Sequence, residues 1–254
     1  MADKKLILIS NDDGIAAPGL KVLIDCVADL GDIYVVAPDK GQSGQSAAIT
    51  VNAPLRITAH PDYNGAKMFS VNGTPVDCVK LAMHAVLPGK PDVMVCGVNH
   101  GSNAGSNVVF SGTMGAVFES CMHDIPSVGF SLLDHSMSAD FSHCEPLIKD
   151  ITRKVIAAGL PEGICLNVNF PADVAIEGVK VVRAAKSCWS EEYRKYEDPH
   201  GKSFYWLTGK MIDLEKGNHE TDLYWLDQNY ATVVPTCSDR SEPSAMTFVE
   251  SMLK

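Results

Sequence analysis

The chain has 254 residues, 46% of them hydrophobic, with a formal net charge of −10 and a pI of 5.2. Such a chain suits one large globular domain, or a domain with an appendage, and its acidity excludes a general nucleic-acid or membrane-surface binder, because phosphate-rich surfaces repel it outside a local basic or metal-bearing patch. No run approaches the ~20 apolar residues that span a bilayer and MADKKLILIS turns polar too soon for a secretory signal, so a cytoplasmic location is expected.

Leu6, Ile7, Leu8 and Ile9 predict a strand over 5–10, and Leu20, Leu23, Ile24, Val27 and Leu30 follow at helical spacing behind Pro18. Residues 33–37 (IYVVA) are continuously apolar, as in a parallel strand covered on both faces. Thr74-Pro75 reads as a helix start, with Val76, Val79, Met83 and Val86 on one face; PDVMVCG (91–97) is a buried strand, and SGTMGAVFES (111–120) opens another helix. Then come strand SVGFSLL (127–133), a helix aligning Cys144, Leu147, Ile148, Ile151 and Val155, and strand ICLNVNF (164–170). This alternation predicts the α/β class with a doubly wound, mostly parallel sheet. Past about residue 185 the pattern changes: SFYWLTG (203–209) and DLYWLDQNYATVVP (222–235) read as aromatic strands of a hairpin. From Ser241 a terminal helix places Ala245, Phe248, Val249 and Met252 on one face. The expected organisation is a single domain, with residues 1–185 as the body and 186–254 as an apolar appendage suited to a subunit interface. The eight cysteines, scattered without a CxxC pair, are expected to be reduced core thiols.

In open parallel sheets ligands bind beyond the carboxyl ends of the strands, where helix N-termini also point their amides. The polar, glycine-rich stretches fall in those loops: NDDG (11–14), PDKGQSGQS (38–46) and GVNHGSNAGSN (97–107), leading to VFSGT (109–113). An unpaired carboxylate is costly to bury, so Asp12 and Asp13, directly after an apolar run, call for a positive partner. Adjacent strand residues face opposite ways, so the two converge on one ion only past the strand end, where Asn11 and Gly14 supply a turn. With neutral oxygens from Ser43 and Asn99 they form a hard donor set, suited to Mg²⁺ or Mn²⁺ and poor for zinc. Taken singly, each is an ordinary turn residue; their joint placement carries the reading. Ser111-Gly112-Thr113 fits a phosphate cradle and a plain N-cap equally. His100 is expected to be a solvated loop histidine. GxSxG, Walker A and GxGxxG sequences are absent, which weighs against an esterase triad, a P-loop NTPase and a nicotinamide enzyme.

Together, ILISNDDGIAAPGL, VVAPDKGQSG, GTPVDCV (73–79), VCGVNHGSNAG and FSGTMGA closely resemble the SurE family of stationary-phase survival proteins, which are 5′/3′-nucleotidases. LNVNFP, YEDPHG, YWLTG and NYATVVP extend the resemblance nearly end to end. It implies a Rossmann-like three-layer α/β/α fold whose C-terminal hairpin and helix are exchanged between subunits of a homodimer or homotetramer. The implied activity is metal-dependent hydrolysis of nucleoside 5′- and 3′-monophosphates, extending to short polyphosphate. One divalent ion per subunit, Mg²⁺ or Mn²⁺, would be held by Asp12, Asp13, Ser43 and Asn99. Asn103, Ser111, Gly112 and Thr113 would line the phosphate pocket. Asp12 and Asp13 would be catalytic, orienting or deprotonating water, with attack by a carboxylate as the competing mechanism. The partner is then a small-molecule nucleotide, with no nucleic-acid polymer and no membrane. Two rival readings are a nucleotide-binding regulatory module without turnover and a phosphatase of other small phosphomonoesters. One departure is Ala47-Ala48, where the family commonly carries a polar pair after SGQS.

Overall fold

The computed structural model describes residues 4–254. Along the first two thirds run β1 (Leu6–Ser10), α1 (Pro18–Val27), β2 (Asp32–Pro38), β3 (Ile57–Tyr63), β4 (Ala66–Val71), α2 (Pro75–Leu81), β5 (Val93–His100), α3 (Gly112–Cys121), β6 (Ser127–Leu132), α4 (Glu145–Ala158) and β7 (Ile164–Phe170). Then follow β8 (Val179–Val181), β9 (Ser187–Ser190), β10 (Tyr193–Glu197), β11 (Ser203–Leu207), β12 (Lys210–Asp213), α5 (Asp222–Asp227), β13 (Ala231–Cys237) and α6 (Met246–Met252).

The main sheet has the order β3-β4-β2-β1-β5-β6-β7-β13-β8. Strands β4, β2, β1, β5, β6 and β7 are parallel, whereas β3 joins β4 and β13 joins β7 antiparallel. The period of two along β1 divides the core: Ile7 and Ile9 pack with Leu20, Leu23 and Ile24 of α1 and Ile148 of α4, while Leu8 packs with Val79 of α2 and Met114 and Val117 of α3. Helices thus cover both faces of the sheet in three layers. Each fully buried aliphatic side chain contributes roughly 1.5–3 kcal/mol, which makes this sandwich a stiff platform for the loops at its edge.

Three segments depart from the sequence expectation. The β3–β4 hairpin is new; β3 is a mostly exposed edge strand with Pro61 inside an irregularity of the ladder, so it lacks the alternation that marks a strand. Its turn, Asn64-Gly65 with φ of 46° and 80°, is a recognisable hairpin signal. Residues 222–235 are not one strand: Asp222–Asp227 forms α5, burying Leu223 and Leu226 three apart on one helical face, and only Ala231–Cys237 is extended. The hairpin of the appendage is therefore made by 187–213, as two short ribbons, β9 with β12 and β10 with β11. Because β13 enters the main sheet between β7 and β8, residues beyond 185 also build the body. Six cysteines are buried thiols, while Cys188 and Cys237 are exposed. Among the described residues no helix is long and apolar enough to cross a membrane.

Helix α2 begins with a capping box: Thr74 Oγ1 accepts from Asp77 N at 3.1 Å, and Asp77 Oδ2 accepts from Thr74 N at 2.9 Å. The same carboxylate accepts from Thr50 N (3.1 Å) and Thr50 Oγ1 (2.6 Å), and Thr74 Oγ1 donates to Ala48 O (2.6 Å). Burial pushes the Asp77 carboxyl up, but these donors outweigh it and hold it below the usual carboxylate range. Asp77→Ala removes a cap and strands buried donors, so an expected loss of roughly 3 kcal/mol should lower the melting temperature by about 6–12 °C. An unchanged melt would show that this carboxylate does not anchor the loop.

Candidate active site

The order of the parallel strands reverses between β1 and β5, which opens a crevice at their carboxyl ends. Asp12 and Asp13 follow β1, Ser43 lies in the loop after β2, Asn99 and His100 end β5, and Ser111 precedes α3. Asp12, Ser43, Asn99, Asn103 and Ser111 line one cavity of 520 Å³. Asp13, Gly112 and Thr113 are not among the lining residues; they adjoin them in the chain, next to Asp12 and Ser111.

The turn after β1 closes on itself through Asn11, whose Nδ2 donates to Gly14 O (2.9 Å) and whose Oδ1 accepts from Gly14 N (3.2 Å). Gln42 N donates to Asp12 O at 2.7 Å, tying this turn to the loop that carries Ser43. The Asp12 side chain is buried, and its Oδ1 accepts from Thr113 Oγ1 at 2.5 Å. Burial raises its pKa to about 6; the Thr113 hydroxyl pulls it down and the neighbouring Asp13 charge pushes it up. Asp13 is engaged at one oxygen, with Oδ2 accepting from His100 N (3.1 Å) and 2.9 Å from His100 Nδ1.

His100 is thus not a solvated loop residue. Strand β5 extends through it, its ring lies edge-on to Phe141 at 5.1 Å, and its Nε2 is buried without a hydrogen-bond partner among the described residues. Asn99 spends its amide nitrogen on Gly101 O (2.8 Å), so its oxygen is the atom left for the cavity.

At α3 the cap is Ser111, whose Oγ accepts from Met114 N at 3.0 Å. The Thr113 hydroxyl neither caps the helix nor opens onto the cavity; it is spent on Asp12. Gly112 permits that contact, since a Cβ there would stand 2.9 Å from Asp12 Cβ and Oδ2. Gly115 likewise admits the Ser43 loop, because its Cβ would meet Ser46 O at 2.1 Å. Asn103 is locked into a buried polar network: its amide N donates to Asn169 Oδ1 (2.9 Å), its Nδ2 to Ser131 Oγ (2.8 Å), and its carbonyl accepts from Asn167 Nδ2 (2.8 Å). The sequence reading missed a second part of the wall, formed by Phe110, His135, Trp189, Glu192, Tyr193, Leu207 and Thr208. No spacing rule links the ribbon to the strand ends, and its aromatics read as interface surface.

Donor chemistry decides what fits this wall. Among the described residues the one ion-pair partner of either aspartate is His100, on Asp13. No three histidine, cysteine or carboxylate side chains converge among those residues, and the donors at this end of the cavity are carboxylate, amide and hydroxyl oxygens from Asp12, Asn99 and Ser43, with Asp13 beside Asp12. Those donors fit a hard divalent ion.

A family profile described as "Survival protein SurE" matches residues 7–191. The chain belongs to the SurE family. This SurE chain is 46% identical over 241 residues to the 5'-nucleotidase SurE of Christiangramia forsetii, covering 93% of this chain and 92% of that one. It is 39% identical to the 5'-nucleotidase SurE of Porphyromonas gingivalis, over 100% of this chain and 98% of the relative. The crystal structure of the SurE protein from Aquifex aeolicus superposes with a TM-score of 0.83 at 33% identity, covering 98% of this chain and 100% of that one.

Asp12 generates a prediction for the metal-free protein. Its folded-state pKa, about 6, lies above the unfolded value of 3.8, so its contribution to stability is fully present below pH 3.8 and is lost as pH rises through 6. In EDTA at pH 8, Asp12→Asn should therefore be more stable than the parent by up to about 3 kcal/mol, and the gain should vanish near pH 4. Paired thermal melts at the two pH values check this; equal melting temperatures at pH 8 would contradict it.

Proposed function

We propose that this SurE protein hydrolyses nucleoside 5′-monophosphates, and at the same phosphate site 3′-monophosphates, with one divalent ion held by Asp12, Asp13, Ser43 and Asn99. The observation that carries this is Asp12: a buried carboxylate with a like charge beside it and no basic side chain on it, in the wall of a cavity that also meets a helix N-terminus. A site that bound an anion without turnover would gain nothing from two carboxylates, which argues against a purely regulatory module. The relatives named 5'-nucleotidase SurE support a nucleotide as substrate.

When bound, a divalent ion supplies neutralisation of the phosphoryl charge and acidification of water. The chain's own groups do the rest. Asp12, whose carboxylate is fixed by the Thr113 hydroxyl, would hold the ion and orient its water. The Ser111 and Asn103 side chains in the cavity wall, with the Gly112 amide at the start of α3, would supply donors for phosphoryl oxygens. Asp13, held by His100, keeps Oδ1 for the ion.

The apolar surface supports a homodimer or a higher homo-oligomer. Trp206 and Leu207 of β11 are 65% and 67% exposed, and Phe248 and Leu253 at the C-terminal end are 72% and 77% exposed. Deleting 241–254 leaves β13 in place and should lower the mass measured by light scattering. An unchanged oligomer would discard α6 as part of the interface.

The experiment for the reaction is phosphate release from AMP, GMP and CMP, each with EDTA and after adding Mg²⁺ or Mn²⁺. Hydrolysis should stop in EDTA and return with either ion; full turnover in excess chelator would overturn the metal assignment. Asp12→Asn and Asp13→Asn should each cut kcat by at least ~100-fold, the usual cost of one preorganised electrostatic group.

A further inference from the structure

We propose that the inner face of the bent ribbon formed by β9 to β12 is the nucleoside subsite, with Trp189 and Tyr193 as its stacking groups. This rests on the nucleotidase reading and adds residues that the phosphate chemistry does not use.

The ribbon is broken where it meets the cavity. Trp189 pairs with Met211 on one side of the break and Tyr193 with Leu207 on the other. Between them Glu191 has a φ of 51° and Gly209 a φ of 117°, and a Cβ at Gly209 would lie 2.9 Å from Ser190 O. Thr208 closes the bend, its N donating to Glu192 O (2.6 Å) and its Oγ1 to Glu191 O (3.0 Å). The ribbon residues of the cavity wall come from this break and its flanks: Trp189, Glu192, Tyr193, Leu207 and Thr208, with Phe110 joining them from the body. Left-handed backbone at a bend is costly for a non-glycine residue. Here it turns aromatic faces toward the cavity that also holds Asp12.

The foot of the ribbon is fixed to the phosphate end. Ser187 Oγ accepts from Ser106 N (2.9 Å) and lies 2.8 Å from Ser106 Oγ, while Trp189 Nε1 donates to Asn107 Oδ1 (2.9 Å). Buried Asp222 accepts from Gly105 N and from Ala185 N, both at 2.8 Å. The turn so held leads through Phe110 to Ser111, so hydrogen bonds tie the aromatic wall to the segment that starts α3.

The chemistry of the wall identifies its occupant. Trp189, Tyr193 and Phe110 keep 37%, 65% and 57% of their surface open. Among the described residues the cavity wall contains no lysine or arginine, the groups that would hold a second phosphate. A flat, uncharged, aromatic group fits, and stacking accepts every base because each has a π-face.

The test compares AMP and CMP with glycerol 3-phosphate, which has the phosphate but nothing to stack; p-nitrophenyl phosphate is avoided because its ring can stack. Trp189→Ala and Tyr193→Ala should each lower the ratio of kcat/KM for AMP to that for glycerol 3-phosphate by about tenfold or more, as expected for loss of one stacking face. The loss should fall on KM rather than kcat, and should be similar for CMP. Trp189→Phe, which loses the bond to Asn107 but keeps a ring, should recover most of the ratio, separating stacking from placement of the ribbon. Tyr193, exposed and outside the core, keeps the test open if Trp189→Ala misfolds. An unchanged ratio in Tyr193→Ala together with Trp189→Ala, or an equal fall for both substrate types, would overturn the subsite. Failure of the parent protein to hydrolyse any nucleotide would instead overturn the reading beneath it.

Discussion

The buried carboxylate of Asp12 is the constraint around which the crevice is built. Taking an anion out of water costs several kcal/mol, and here the compensation is partial: the Thr113 hydroxyl and, after it, backbone donors at Asp12 and Thr113, worked against by the negative charge of Asp13. The neighbouring sequence reads as the set of changes that let this happen. Gly112 is glycine because Asp12 occupies the place of its Cβ, Gly115 because the Ser43 loop lies on the first turn of α3, and Asn11 closes the turn that points Asp12 away from the strand. A deficit of this kind is what a functional site retains when the missing partner arrives with the reaction.

The same requirement explains the GTPVD stretch. Ser43 sits on a long loop, and such loops are normally mobile. This one is pinned twice. Ser46 bonds to Val109 O and Phe110 O beside α3, and the 48–50 stretch bonds to Thr74 and Asp77 at the start of α2. A capping box that elsewhere only starts a helix here also clamps a loop, so the folding of α2 and the placement of Ser43 depend on one carboxylate. Ala47-Ala48 fits that arrangement: in this loop the backbone carbonyl of Ala48 carries the bond to Thr74.

How far each part could be read from sequence follows from its burial. Strands β1, β2, β5, β6 and β7 are covered on both faces, so their apolar runs identify them. The turns NDDG and GVNHG then fall at their ends by connectivity alone, which brings Asp12 and Asn99 together without any knowledge of packing. Edge strand β3 is exposed and broken at Pro61, so nothing periodic marks it. In α5 the aromatics Tyr224 and Trp225 suggest a strand, yet burial of Leu223 and Leu226 against Ala104 and Ala185 selects the helix. The burial of His100 is not legible because the end of β5 cannot be located from a polar residue, nor is the partner of the Thr113 hydroxyl, because its bond to Asp12 spans 101 positions. Contacts that close only through the fold leave no local trace.

The two ends of the cavity obey different rules of substitution. Around Asp12 almost every position is packed, and a change there meets backbone or a buried charge; costs of several kcal/mol follow from cavities, clashes or unpaired groups. The ribbon is exposed on its outer side and tied down at its foot, so exchanging Tyr193 or Leu207 should move stability by only about 0.5 kcal/mol. The phosphate end lies inside the 7–191 match to the family profile, and the similarity to the Porphyromonas gingivalis relative runs on through the ribbon, over 100% of this chain. On the proposed reading, in which the core fixes the chemistry and the ribbon holds the nucleoside, substrate range can change while the reaction does not, because the residues that would alter binding are the exposed ones whose replacement the fold tolerates.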